Sequence, residues 1–226
     1  MLWRKGCEKM TVKAILFDLD GTLLDTLDDL TDSVNHMLSG FGYSMRSREY
    51  VRQAVGNGVR KLIVRALPGG EDEARVNECL QAFRAHYGEN LDNKTRPYPG
   101  VMEALSALKR EGIAVGVVSN KYDGAVKALS EKHFGDLVQV AVGERPGVMR
   151  KPAPDSVFEA MRCLGAEKET TLYVGDSDVD VETAHNAGLR CVGVSWGFRP
   201  RESLLQAGAD AVIDDVAALV PAALAL

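Results

Sequence analysis

Asp18 and Asp20 stand two positions apart, immediately after the apolar run Ala14-Ile15-Leu16-Phe17. In an extended segment, side chains i and i+2 lie on the same side, so both carboxylates can converge on one point. Burying two like charges is costly unless positive charge compensates them, so this strand end implies a pocket that holds a cation. Three further polar groups repeat the arrangement. Ser119-Asn120-Lys121 ends the run Ala114 to Val118, Lys151-Pro152 opens a helical stretch, and Gly175-Asp176-Ser177-Asp178-Val179-Asp180 follows Leu172-Tyr173-Val174. Acidic turns after strands are common one at a time. In an open α/β sheet, however, ligands bind outside the carboxyl ends of the parallel strands, so all four groups land on one rim.

The elements that must carry these groups can be read from periodicity. The first strand spans Val12 to Phe17. Leu27, Leu30, Val34, Met37 and Leu38 then fall on one helical face. Ser47 is placed to cap a short helix through Ala54, Gly56-Asn57-Gly58 breaks it, and Val59 to Leu67 forms another. Val76, Cys79, Leu80, Phe83 and Tyr87 make a further helical stripe, and Pro97 and Pro99-Gly100 punctuate the return. From there strands and helices alternate. Helices are expected at Val101 to Glu111, Gly124 to Ser130, Asp155 to Leu164 and Val179 to Ala187. Strands are expected at Ala114 to Val118, Val138 to Val142, Thr171 to Val174, Arg190 to Val194 and Ala211 to Ile213, with a terminal helix after the last. Such alternation predicts an α/β fold, a doubly wound parallel sheet with helices on both faces. The helical block is too long to be a loop and reads as an inserted domain. The expected division is a Rossmann-like core of residues 1–24 and 95–226 around a helical insert of residues 25–94.

Composition limits the function classes. The chain has 226 residues, 46% hydrophobic and 26% charged, as expected for a globular core with an insert. A net charge of −5 argues against a broad nucleic-acid-binding face. No apolar stretch approaches the ~18 residues of a membrane span. Met1 to Thr11 lacks an apolar signal core, so a cytoplasmic location is expected, with the first nine residues a loose arm and Met10 an alternative start. Cys7, Cys79, Cys163 and Cys191 form no Cys-x-x-Cys pair and read as structural thiols in a reducing compartment. His36, His86, His133 and His185 show no ligand spacing, and Asn93-Lys94-Thr95 fits a glycosylation sequon without a secretory context.

With Asp18-Leu19-Asp20-Gly21-Thr22, Ser119, Lys151 and Gly175-Asp176-Ser177-Asp178-Val179-Asp180 in place, the chain resembles the haloacid-dehalogenase-like superfamily of phosphohydrolases over about residues 12 to 215. Val55-Gly56-Asn57-Gly58, the helix after it and Ser119-Asn120-Lys121 make it most similar to the phosphoglycolate phosphatase-like subgroup. The resemblance implies a helical cap for the insert. It also implies a Mg²⁺-dependent phosphatase that hydrolyses a small phosphorylated metabolite through an aspartyl-phosphate. Asp18 is then the nucleophile, and Asp20 the acid that protonates the leaving oxygen and later the base that takes a proton from water. Asp18 and Asp176 are the expected Mg²⁺ side-chain ligands, with the Asp20 backbone carbonyl as a third. Asp180 either ligates through water or orients Lys151, and Asp178 points to another face and is solvated. Ser119 and Lys151 hold phosphoryl oxygens. Thr22 supplies a further donor, and Asn120 an amide contact to substrate or cap.

Glycines before a helix let backbone N–H groups approach an anion. Gly56, Asn57 and Gly58, with Arg60 and Lys61 following, therefore read either as a reader of the remote end of a small ester or as a plain helix-breaking turn. The same scaffold serves pyrophosphatases, sugar-phosphate phosphatases and phosphomutases, which stay open as alternatives. A dehalogenase or phosphonatase is disfavoured because Asp20 is present. A phospho-receiver module is shorter and lacks the helical insert, and a non-catalytic binding module would not need every chemical position filled. The protein is expected as a monomer or homodimer, with no nucleic-acid or membrane partner.

Overall fold

The computed structural model describes residues 11–56, 58–69 and 72–225. Expectations for the N-terminal arm, Met10, Cys7 and Asn57 lie outside the described residues. The chain divides into two compact units, one holding the chain to Leu24 and from Pro97 onward, the other Asp25–Arg96.

The first unit opens with β1 (Ala14–Phe17). All four of its side chains are buried, as befits a continuous apolar run flanked by strands and covered on both faces. The chain then passes through β2 (Leu24–Asp25) into the second unit, made of α1 (Leu27–Gly40), α2 (Arg48–Ala54), α3 (Val59–Ala66) and α4 (Glu73–Asn90). It returns through β3 (Arg96–Pro97), which pairs with β2.

Local chemistry sets the boundaries of the helical unit. The Ser47 side chain accepts from Tyr50 N–H at the start of α2, and Asp72 does the same for Arg75 N–H at the start of α4. Gly58, with φ +88°, precedes α3 in a conformation that disfavours any side chain. The buried Asp29 carboxylate on α1 accepts the N–H groups of Lys94 and Thr95 at 2.8–3.0 Å. Those bonds keep Thr95 with the helices, so the return boundary lies at Arg96–Pro97 rather than after residue 94.

The first unit continues as α5 (Val101–Arg110), β4 (Ala114–Tyr122), α6 (Asp123–Phe134), β5 (Val140–Glu144), α7 (Asp155–Leu164), β6 (Thr171–Gly175), α8 (Asp178–Ala187), β7 (Arg190–Val194), α9 (Arg201–Ala207), β8 (Ala211–Ile213) and α10 (Leu219–Leu224). Six strands form one parallel sheet in the order β5-β4-β1-β6-β7-β8. One face carries α7, α8 and α9 over a core of Leu16, Val118, Val157, Tyr173, Val181 and Leu204. The helix α5 packs against β4, and α6 against β4 and β5. Among the elements that differ from expectation are β4 and α9. β4 runs on through Ser119-Asn120-Lys121 to Tyr122, with a register shift against β5 between Val118 and Tyr122. No apolar stripe marks α9 in the sequence, because only Leu204 of its short span is buried.

The expected site depends on the centre of this sheet. β1 pairs with β4 on one side and β6 on the other, with Phe17 level with Val117 and Val174. Asp18, Ser119 and Asp176 therefore leave three adjacent strands at the same end.

Candidate active site

Asp18 follows β1 directly, and its N–H is tied to the Val174 carbonyl at 2.9 Å. Its carboxylate is buried, and Oδ1 accepts from Lys151 Nζ at 2.8 Å. Oδ2 has no hydrogen-bond partner among the described residues. Lys151 Nζ also donates to Asp180 Oδ1 at 2.8 Å and to the Val118 carbonyl at 3.0 Å, with the Tyr173 hydroxyl at 3.2 Å. An ammonium has three N–H donors, so Lys151 is committed in full to this nest.

Asp180 is wholly buried on the first turn of α8. Its Oδ2 accepts the Ser177 N–H at 3.1 Å and the Ser177 hydroxyl at 2.6 Å, while Ser177 Oγ accepts the Asp180 N–H, a reciprocal capping box. Of the two roles open for Asp180, its side-chain bonds support the orienting of Lys151. Asp178, two residues earlier, is exposed beside Arg199 at 3.6 Å, as expected for a solvated group.

Asp176 is held from two directions. Thr22 Oγ1 donates to Oδ1 at 3.2 Å, and Phe198 N–H donates to Oδ2 at 2.6 Å. The backbone packs closely here. A Cβ on Gly21, itself at φ +91°, would lie 2.4 Å from Asp176 Oδ2, and one on Gly197 would lie 2.3 Å from the Gly21 carbonyl oxygen. Trp196 Nε1 completes the lock by donating to the Thr22 carbonyl at 3.0 Å.

Ligand atoms of Asp18, Asp176 and Asp180 all lie within 4.8 Å of one another. Burial pushes the Asp18 carboxyl up to about 7, opposed by Lys151 and assisted by Asp180 and Asp20. Burial, with Asp180 and Asp18 beside it, also holds Asp176 well above the usual carboxylate range. Burial alone would lower the Lys151 ammonium, but Asp18 and Asp180 overcome it and keep it well above the ordinary lysine value. Burial likewise keeps the Tyr173 phenol protonated well past its usual range. One lysine thus leaves a cluster short of positive charge, and its donors are hard oxygens that suit a small divalent cation.

Asp20 stays outside this cluster. Its Oδ1 accepts from Lys121 Nζ at 2.7 Å, with both side chains largely buried. Ser119 is buried, and its Oγ accepts the Lys121 N–H at 3.2 Å.

Three expected substrate contacts are otherwise engaged. Thr22 is turned onto Asp176 and is almost fully buried. Asn120 is used from both ends by the Lys151 backbone, donating to its carbonyl at 2.9 Å and accepting its N–H at 2.8 Å. In the helical unit, the Arg60 guanidinium donates to Asn77 at 2.8 Å and pairs with Glu73. Gly56 and Gly58 both have positive φ, and the Gly56 carbonyl accepts from Arg65 at 3.2 Å.

Sequence reasoning assigned no role to Tyr173, Lys121 or the turn Trp196-Gly197-Phe198. That turn follows β7 at the same rim as the other groups, so the strand-end rule that found Asp176 also points to it. Tyr173 lies inside an apolar run, and nothing in that pattern separates its hydroxyl from a packed ring.

The chain is similar to known proteins in sequence and in fold. Residues 15–194 match the family model described as haloacid dehalogenase-like hydrolase. A phosphoglycolate phosphatase of Pseudomonas fluorescens (strain Pf0-1) is 35% identical over 218 residues, 94% of this chain and 80% of the relative. One from Mesorhizobium japonicum is 36% identical over 200 residues, covering 85% of this chain and 86% of the relative. A crystal structure from Lactobacillus delbrueckii subsp. bulgaricus, provisionally assigned as a phosphoglycolate phosphatase, superposes with a TM-score of 0.92 at 33% identity, covering 96% of this chain and all of the other. No helix among the described residues is long and apolar enough to cross a membrane.

Proposed function

The chain belongs to the haloacid dehalogenase-like hydrolases, and from that premise we propose that it is a phosphoric monoester hydrolase acting on a small phosphate ester, phosphoglycolate. The observation that carries this reading is Asp18. It is a buried carboxylate with one oxygen fixed by Lys151 and the other open, inside a cluster of three carboxylates. The substrate name rests on the two relatives named above.

In this reading Asp18 Oδ2 attacks phosphorus. The P–O bond to the leaving group breaks as the Asp18–phosphorus bond forms, and Asp20 gives its proton to the leaving oxygen. Water then attacks the aspartyl-phosphate, its proton returns to Asp20, and inorganic phosphate leaves with Asp18 regenerated. The Ser119 hydroxyl and the Lys151 ammonium face the phosphoryl oxygens and counter the charge spread over them. Lys151 does this from a fixed position, because Asp180, Tyr173 and the Val118 carbonyl leave it little freedom.

The crowded carboxylates fit Mg²⁺. Asp18 and Asp176 would hold it by their side chains and Asp20 by its backbone carbonyl. When bound it neutralises these carboxylates and the substrate phosphate. Thr22, Phe198 and Trp196 keep Asp176 aimed for that task.

The test is release of phosphate from a panel of small phosphate esters, with and without Mg²⁺. The reading expects Mg²⁺-dependent turnover with phosphoglycolate foremost. Equal turnover in metal-free buffer, or preference for pyrophosphate or a sugar phosphate, refutes it.

A further inference from the structure

We infer that Lys121 selects the substrate by its leaving group, its ammonium binding a carboxylate carried one carbon from the ester oxygen. The inference rests on the phosphatase reading above and supplies its specificity from the catalytic unit itself.

The argument begins with position. Asp20 gives its proton to the leaving oxygen, so that oxygen lies within hydrogen-bond reach of the Asp20 carboxyl. Lys121 Nζ is 2.7 Å from Asp20 Oδ1. Two hydrogen bonds in series through the Asp20 carboxyl put the ammonium about 5 to 7 Å from the leaving oxygen. In glycolate that oxygen and the carboxylate share a single methylene, which brings a carboxylate oxygen within direct reach of Nζ. An uncharged leaving group of the same size has nothing to offer there.

Backbone geometry aims the residue. β4 runs past Val118 with a register shift before Tyr122, and the Lys121 N–H bonds back to Ser119 Oγ at 3.2 Å. Strand irregularities beside active sites commonly re-aim a side chain. Here the irregularity carries Lys121 to Asp20 rather than into the sheet. Its side chain is only 7% exposed, unusual for a lysine and costly unless the charge meets a partner.

The other cations considered for this role are held by groups away from Asp20, whereas Lys121 is held by Asp20 itself. Lys151 spends its donors on Asp18, Asp180 and the Val118 carbonyl. Arg60, expected to read the remote end of the ester, is engaged by Asn77 and Glu73. A phosphoglycolate trianion brings one more charge than phosphate chemistry requires, and Lys121 is a buried cation beside Asp20, where that charge arrives.

The experiment compares kcat/KM for phosphoglycolate and ethyl phosphate, a two-carbon ester without the carboxylate, in the full chain. Wild type is expected to prefer phosphoglycolate. A charge-assisted hydrogen bond is worth roughly 10- to 150-fold, so Lys121→Met should cut that preference by about 100-fold, mainly through KM for phosphoglycolate. Lys121→Arg should restore part of it. Because Lys121 is buried, Lys121→Gln, polar and of similar reach, is measured beside the methionine variant, and its preference should collapse likewise. Equal losses on both esters would mean that Lys121 only holds Asp20 and would overturn the inference. Preference retained in the Met and Gln variants overturns it too and leaves the phosphoglycolate reading standing. Wild type without any preference for the carboxylate-bearing ester refutes both.

Discussion

Asn120 and Lys151 bind one another in both directions across the rim of the sheet. The Asn120 amide donates to the Lys151 carbonyl at 2.9 Å, and its oxygen accepts the Lys151 N–H at 2.8 Å. Lys151 has no regular element of its own, since it precedes α7 in a turn. Asn120 therefore does for Lys151 what a strand ladder does for Asp18. Asn120→Ala should remove both bonds and cost about 1–3 kcal/mol of stability. The larger loss should fall on kcat, by about 10- to 100-fold, as Lys151 drifts from the phosphoryl oxygens. Asn120→Asp keeps the acceptor and loses the donor, so it should lie between the two. A kcat within two-fold of wild type for the alanine variant would show that Lys151 is placed by its own ion pairs.

Asp18→Asn should abolish turnover, by about 10³-fold or more, because an amide neither attacks phosphorus nor carries the charge a metal ligand needs. It should do so without unfolding the protein. The carboxyl is raised to about 7 chiefly by burial. A carboxyl whose folded pKa exceeds its unfolded value costs stability once ionised. The penalty is absent at low pH, where both states are protonated, and grows as pH rises from near 4 to about 7. Metal-free wild type should therefore lose melting temperature over that window, and Asp18→Asn should lose less. Thermal melts in EDTA at a series of pH values decide it. Parallel slopes for the two proteins would mean that Asp18 is already compensated by Lys151.

Mg²⁺ should reverse the same penalty. At 100 times its dissociation constant, a ligand that binds only the folded state adds about 2.7 kcal/mol. Wild-type melting temperature should rise with Mg²⁺ at neutral pH, and phosphatase activity should vanish in EDTA and return on adding the ion. Ca²⁺ should be a poor substitute, because its larger, looser coordination misplaces the Asp18 carboxylate. Asp176→Asn should lose both the thermal shift and the activity. A full thermal shift in that variant would place the ion elsewhere.

The acidic frame of the site was legible because its residues sit at strand ends, where one rule about α/β sheets applies to each without knowledge of the others. Asp18, Ser119 and Asp176 came together for that reason. Ser47 as a helix cap and the bounds of α7 were equally local in origin. What sequence could not reveal was pairing across long separations. Thr22 reads as a donor near the nucleophile, yet its partner is Asp176, 154 positions away. Asn120 and Lys121 are neighbours with opposite tasks, one clamping the Lys151 backbone and the other reaching Asp20, 101 positions earlier. Tyr173 sits in an apolar strand where burial predicts a ring, and only the fold shows its hydroxyl beside Lys151.

Gly197 gives the sharpest test of how Asp176 is held. The turn Trp196-Gly197-Phe198 touches the site at three points: the indole N–H on the Thr22 carbonyl, the Phe198 N–H on Asp176 Oδ2, and the Gly197 backbone against Gly21. A Cβ at position 197 would come within 2.3 Å of the Gly21 oxygen and 2.4 Å of Asp176 Oδ2, distances that no side chain tolerates. Gly197→Ala must therefore lift the turn and stretch the 2.6 Å bond from Phe198. Among the described residues Asp176 would then keep the Thr22 hydroxyl, which sits at 3.2 Å. Affinity for Mg²⁺, measured by calorimetry, should fall by about 10- to 100-fold, the usual effect of disturbing the partners that orient a metal ligand. Trp196→Phe removes one of the three contacts without the clash and should weaken binding less. If Gly197→Ala binds Mg²⁺ as wild type does, the backbone yields elsewhere and the turn has no part in aiming Asp176.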